Sequence, residues 1–298
     1  MTSINELRQQ LQKGKRERMK KMWGHGFFVQ GPPIYVTALL IRFNSKLTPN
    51  QITTIMLFIS MVGVGIMLIP GYVSKLLGLF LLYLGLILDG VDGEIARHKK
   101  LFSIKGLYID SVYHLLIPGA MLITLATSIA TETQTNMWYL CLCALAAIGW
   151  IIIKTGGQLP FHLYAKHFLG KPGVFPLPAV KVKKESTETT VVSKPHLIRR
   201  ILGIRFQVRQ FFIAMVLLAI SLVVDVLFLM PQSYELTWWV LGIYSCFLIL
   251  HTLEEVFKMT MNIEGIIANI HRSTTERWPK VQASQEAVKP SEDHTSVS

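Results

Sequence analysis

The chain has 298 residues, 51% of them hydrophobic and only 16% charged, with a net charge of +12. Soluble globular domains carry about 25% charged residues, so this composition excludes an ordinary soluble enzyme and indicates a protein of the lipid bilayer. Three cysteines, Cys141, Cys143 and Cys246, lie in apolar runs; they form neither a disulfide framework nor a tetrahedral metal site and read as small apolar fillers.

In chain order, residues 1–31 form a basic N-terminal surface segment. Its stretch MTSINELRQQLQKGKRERMKKMWGHG has no apolar run behind its charges, which excludes a cleavable signal peptide and predicts a basic helix on the membrane surface. Anionic headgroups attract such a helix by about 1 kcal/mol per basic residue near the surface. The segment PPIYVTALLIRFNSK (32–46) is too short and too broken to span. Tyr35, Leu39, Arg42 and Phe43 recur there at helical spacing, which predicts an interfacial helix. The turn LTPN follows, with Thr48 or Asn50 as the cap of the first span.

About 20 apolar residues cross a hydrocarbon core of roughly 30 Å. Six segments qualify, at about 52–70, 73–96, 104–130, 137–154, 208–230 and 236–258. The expected fold is an all-α integral membrane protein with six transmembrane helices plus the N-terminal interfacial helix. The membrane domain covers 32–258, with a polar cytoplasmic insertion around 155–207. A cytoplasmic polar tail fills 259–298 and is expected to be disordered after about residue 275.

Basic residues orient the bundle. Arg97, Lys99, Lys100 and Lys105 share one loop, and 154–209 is rich in Lys and Arg. The loops 131–136 and 231–235 carry none, and the loop near Pro70 carries only Lys75. The positive-inside rule puts both termini and the two basic loops in the cytoplasm. The basic segment Lys181, Lys183, Lys184, Arg199, Arg200, Arg205 and Arg209 serves either this topology with lipid contact or an entrance for a phosphorylated acceptor. His162 and His167 read as interfacial, as does Asp225 at the outer end of the fifth span. His251, Glu254 and Glu255 are either acceptor contacts or a polar helix end. No pattern for nucleic-acid binding is present.

The stretch LDGVDGEIARHKKLFSIKGLYIDSVYHLL (88–116) places acids in apolar surroundings. Asp89 and Asp92 are one turn apart on one helix, and Asp110 and His114 one turn apart on the next. The cationic loop between them is short, so the helices are antiparallel neighbours and the two pairs converge. Carboxylates within a membrane are costly, and the default reading is a functional site. Three hard oxygen donors and an imidazole suit Mg2+ or Mn2+, which would leave room for phosphate oxygens. Gly85, Asp89, Gly93 and Arg97 form one stripe, in which Gly93 and Ala96 remove bulk and Arg97 is shaped to grip phosphate. Gly106 opens space one turn before Asp110. A salt-bridge cluster that only holds helices together is the competing reading, and it lacks enough nearby bases.

Asp89, Asp92-Gly93, Ala96-Arg97, Gly106 and Asp110 match the spacing D-x2-D-G-x2-A-R-x8-G-x3-D. This resembles the signature of the CDP-alcohol phosphotransferases, integral membrane enzymes of phospholipid head-group synthesis. LTPNQIT (47–53) is similar to the family's segment ahead of its first span. The resemblance covers about residues 30–255. It implies metal ligands at Asp89, Asp92 and Asp110, and a CDP site lined by Gly93, Ala96, Arg97, Gly106, Asn50 and Thr53. It also implies a homodimer. The family's fourth aspartate, its proposed base and a metal holder, is His114 here. His114 is then a substitute base, a nitrogen ligand that tilts preference toward Mn2+, or a mark of weakened activity.

The expected function is metal-dependent transfer of a phospho-alcohol group from a CDP-linked donor to an acceptor hydroxyl, with release of CMP. His114 and Asp110 are the expected catalytic groups. The setting is phospholipid or related lipid or glycan synthesis, at the cytoplasmic face of a bacterial inner membrane. The rival from another class is a non-enzymatic divalent-cation-binding membrane protein or transporter. Transporters place ligands nearer the midplane on interrupted helices or paired repeats.

Overall fold

The computed structural model describes residues 4–19, 31–43, 46–134, 137–166, 211–228 and 234–286. Among them the chain forms helices α1 (Ile4–Met19), α2 (Gly31–Arg42), α3 (Pro49–Ile66), α4 (Tyr72–Lys99), α5 (Ile104–Thr133), α6 (Met137–Gly156), α7 (Leu159–Tyr164), α8 (Phe211–Phe228) and α9 (Glu235–Glu286), and no strand. Six of these, α3 to α6, α8 and α9, are long and apolar enough to cross a membrane. The all-α membrane fold is as the hydropathy predicts. The last helix is the exception in length. It runs on to Glu286 without a break, where a disordered tail was expected from about 275. The insertion beyond residue 166, with His167 and the basic run to Arg209, lies outside the described residues.

The chain divides into two compact units: Met1–Lys154 with Val192–Thr252, and Thr155–Val191 with Leu253–Ser298. In the second, Tyr164 of α7 is buried, and its hydroxyl lies 2.9 Å from His271 Nδ1 on α9. His162 is exposed, and Lys258 pairs with Glu254 (2.5 Å) and Glu255 (3.7 Å).

The first unit is built round α5, the most buried of the six long helices. Its Leu122, Leu125 and Ile129 join a core with Met56, Leu82, Leu218, Leu241 and Leu248. Pro118 lies inside α5 without ending it, as buried helices of membrane proteins allow when neighbours satisfy the freed backbone. Thr48 starts α3 with a capping box: Gln51 N donates to Thr48 Oγ1 (3.3 Å) and Thr48 N to Gln51 Oε1 (2.9 Å). Small residues then let α3 and α4 touch, since a Cβ on Gly78 would stand 2.6 Å from the Gly63 carbonyl oxygen. Lys100, left-handed at φ 53°, ends α4, and Ser103 starts α5, so the connection is tight.

The N-terminal helix is more than a surface helix. Leu7 and Leu11 of α1 pack on Ile34 of α2, and Gln12 Nε2 donates to the buried Glu94 Oε1 of α4 (2.6 Å). In α2, Tyr35, Leu39 and Phe43 stay exposed while Pro33, Ile34 and Thr37 are buried, which is the division an interfacial helix requires.

Two polar clusters brace the bundle end away from the acidic stretch. Lys75, fully buried, pairs with Glu132, whose Oε2 also accepts from Tyr234 Oη (2.6 Å) and Gly71 N (3.1 Å). Asp225 lies near the end of α8. It is fully buried and accepts from Leu236 N (2.9 Å), Thr237 N (2.8 Å) and Thr237 Oγ1 (2.6 Å), capping α9. The first donors of α9 have no partner within their own helix, and a carboxylate supplies one. Removing one partner of a buried ion pair strands the other's charge, at a cost of about 3–5 kcal/mol. Glu132→Ala is therefore expected to destabilise the protein by about 3 kcal/mol, measured by thermal unfolding in detergent. Lys75→Met in the same chain should recover part of the loss.

Candidate active site

The site lies at the far end of α4 from Lys75. At 1.5 Å per residue, Asp89 stands about 26 Å from Tyr72 along α4 and Arg97 about 38 Å. Helix α4 is thus longer than a hydrocarbon core of roughly 30 Å, and both groups lie in its C-terminal half.

An open cleft of about 460 Å3 lies between the start of α3, the end of α4 and the start of α5. Asn50 and Thr53 line it from α3, Asp92, Gly93, Ala96 and Arg97 from α4, and Gly106 and Asp110 from α5. All six positions expected to line a nucleotide site are thus brought to one cavity. The sequence places them there through two local signals. The Thr48 cap starts α3 just before Asn50, and the one-turn spacing of Asp89, Gly93 and Arg97 keeps the small residue and the base on one face of α4.

Arg97 Nε and Nη2 are buried and have no hydrogen-bond partner among the described residues. Buried donors are satisfied in the great majority of cases, so an orphaned guanidinium in a cleft calls for an anion. A Cβ on Gly93 would meet Arg97 Nη1 at 3.4 Å, an ordinary contact, so this glycine lies directly under the guanidinium. Gly106 acts differently from expectation. The space it opens is filled by protein: a Cβ there would stand 2.6 Å from Asn50 Oδ1 and 3.2 Å from Ser103 Oγ.

Asp89, Asp110 and His114 form a second group, in which one ligand atom from each lies within 4.8 Å of the others. His114 Nε2 is 3.4 Å from Asp110 Oδ1 and 3.7 Å from Asp89 Oδ1. Two hard oxygens and one borderline nitrogen at this separation fit a divalent cation. Asp92 stands apart from this group, its Oδ2 accepting from Thr53 Oγ1 (2.6 Å). Asp110 belongs to both the cleft and the cluster, and so joins them.

Aromatic neighbours hold His114, and sequence reasoning missed them. The Tyr113 ring meets the imidazole edge-on at 5.1 Å, and Trp150 Nε1 donates to the His114 carbonyl oxygen (3.0 Å). Trp150 sits in a uniformly apolar run, where nothing marks it. Ser103 was also missed, although a serine just before an apolar run is a helix-start signal. His251 is buried and stacks on Phe247, with ring centroids 6.1 Å apart.

Comparison with known proteins bears on this arrangement. The family model described as CDP-alcohol phosphatidyltransferase matches residues 46–179. A protein of Thermococcus kodakarensis described as "Bifunctional IPC transferase and DIPP synthase" is 33% identical over 119 residues, 40% of this chain and 25% of the relative. A protein of Aquifex aeolicus with the same description is 32% identical over 93 residues, 31% of this chain and 21% of the relative. The match to this chain thus covers a quarter or less of the length of these relatives.

Proposed function

From the match of residues 46–179 to the family model described as CDP-alcohol phosphatidyltransferase, we propose that the protein is a metal-dependent CDP-alcohol phosphotransferase. It moves a phospho-alcohol group from a CDP-linked donor to an acceptor hydroxyl and releases CMP, in phospholipid or related lipid or glycan synthesis. The observation that carries this reading is a cleft lined together by Asn50, Thr53, Gly93, Asp110 and Arg97, two of whose buried nitrogens have no partner among the described residues.

Arg97 binds the donor's diphosphate, and Gly93 and Ala96 leave it room. Asn50 and Thr53 line the nucleotide end. The acceptor hydroxyl oxygen attacks the β-phosphorus, the bond from that phosphorus to the bridging oxygen breaks, and CMP leaves with that oxygen. The hydroxyl proton passes to Asp110, the carboxylate that also lines the cleft, with His114 Nε2 3.4 Å away as its neighbour in the cluster. A divalent cation held by Asp89, Asp110 and His114 would supply positive charge to balance the phosphate oxygens, with Asp92 on the cleft wall against Thr53. The remaining work is positioning and preorganised electrostatics.

The same reading puts the site on the cytoplasmic side of a bacterial inner membrane, in a homodimer. Charge supports the orientation: Arg97, Lys99, Lys100 and Lys105 cluster at the site's end, and Lys75 at the other end is neutralised by Glu132.

The test is incubation of the purified protein with CDP-linked donors and candidate acceptors in Mg2+ or Mn2+, detecting CMP. CMP release is expected; a protein that binds divalent cations and releases none with any donor would be a cation-binding membrane protein instead. Arg97→Ala should weaken CDP binding by roughly 10–100-fold, the worth of one or two charge-assisted hydrogen bonds, with little change in thermal midpoint. Unchanged affinity in a CDP titration would remove the phosphate-clamp role.

A further inference from the structure

Ser103 falls among the eight unspecified positions between Arg97 and Gly106, yet its hydroxyl ties two walls of the cleft together. As the N-cap of α5, Ser103 Oγ accepts from Gly106 N (2.9 Å). The same oxygen donates its proton to Asn50 Oδ1 on the first turn of α3 (2.6 Å). The amide is confined from the other side as well, since Gly106 has no side chain and a Cβ there would stand 2.6 Å from Asn50 Oδ1. Oxygen and nitrogen of a primary amide occupy nearly the same volume, so shape alone does not choose which faces a ligand; here Ser103 Oγ, already accepting from Gly106 N, meets the amide as a donor. With Oδ1 bound to Ser103, the polar group that Asn50 has left to present is its NH2, a donor of two N–H groups. A cleft lined by both Asn50 and Arg97 is rich in donors and matches a ligand rich in acceptors. With the amide reversed, Asn50 would present lone pairs to the ligand's oxygens.

We infer that Ser103 is a positioning residue for the nucleotide donor: by donating to Asn50 Oδ1, it fixes the Asn50 amide so that its NH2 group faces the acceptor oxygens of the CDP moiety. The inference rests on the reading of this cleft as the CDP site.

The experiment is calorimetric titration of the purified full-length protein with CDP in Mn2+, beside its thermal midpoint. Ser103→Gly removes the hydroxyl without adding charge, and glycine serves nearly as well as serine at an N-cap. Its CDP affinity should fall roughly threefold to tenfold, the worth of one hydrogen bond, with a midpoint close to that of the wild type. Ser103→Thr keeps both the cap and the donor and should restore affinity. Asn50→Ala should weaken binding at least as much, and in that background Ser103→Gly should cost nothing more. Undiminished binding by Ser103→Gly, failure of Ser103→Thr to restore it, or a Ser103→Gly loss that persists without the Asn50 amide would each overturn the inference. Asn50→Ala reads the same idea without touching the helix cap, and wild-type affinity in that variant would overturn it too. A wild-type protein that does not bind CDP at all would instead sink the reading of the cleft, and this inference with it.

Discussion

Asp89→Asn and Asp110→Asn are each expected to lower the rate of CMP release by roughly 10²–10³-fold or more, the effect of removing one preorganised electrostatic contact to a phosphoryl-transfer site. Asn keeps the shape of the carboxylate and removes its charge and one oxygen donor, so the helices should still pack. Both residues stand within reach of His114 Nε2, and Asp110 also lines the cleft. Asp110→Asn should therefore raise the CDP dissociation constant as well as the metal requirement, whereas Asp89→Asn should act mainly on metal. Asp92→Asn retains an oxygen able to accept from Thr53 Oγ1, so its loss of activity reports the charge alone. The measurements are CMP release across a metal titration and direct binding of Mn2+ to the purified variants. Near wild-type turnover in Asp89→Asn or Asp110→Asn would overturn the assignment of the cluster.

His114→Ala is expected to raise the Mn2+ concentration needed for half-maximal binding by roughly 10²-fold or more, since even partners outside the ligand set are worth 10–100-fold in metal affinity. The imidazole nitrogen faces both carboxylates, 3.4 and 3.7 Å away, which is the geometry of a third ligand. Excess Mn2+ should then rescue activity. His114→Asp should retain activity and shift preference from Mn2+ toward Mg2+, because a carboxylate replaces the borderline nitrogen with a hard oxygen. If His114→Ala binds Mn2+ as the wild type does yet turns over 10²–10⁴-fold more slowly, the residue is the general base and not a ligand. A variant with unchanged rate and unchanged metal demand would take His114 out of the chemistry.

The six spans and the pairing of acids along each helix were legible because both are local properties. An apolar run long enough to cross a bilayer marks itself at each residue, and Asp89 and Asp92, or Asp110 and His114, share a helix face at any packing. The tight turn from Lys100 to Ser103 then keeps the end of α4 close to the start of α5. The cap at Thr48 was legible for the same reason, since both its bonds close within three residues.

Other features depend on which residues of separate helices end up at the same height. Thr53 meets Asp92 across 39 residues, Ser103 meets Asn50 across 53, and Gln12 meets Glu94 across 82. The pattern of any one helix is indifferent to these pairings. Sliding α3 along α4 by a single turn would move Thr53 about 5.4 Å away from Asp92, beyond hydrogen-bond reach, and leave the hydropathy of both helices unchanged. That height is set by the contact at Gly63 and Gly78, where two backbones approach closely because neither carries a side chain. The chain's own order of residues thus determined that a metal-suited acidic cluster would form at one edge of a helical membrane bundle. Packing decided that Asp92 would turn to Thr53 while His114 faced Asp89 and Asp110, because hydrogen bonds and coordination act over about 3 Å and a helix pair must be held in register to that precision.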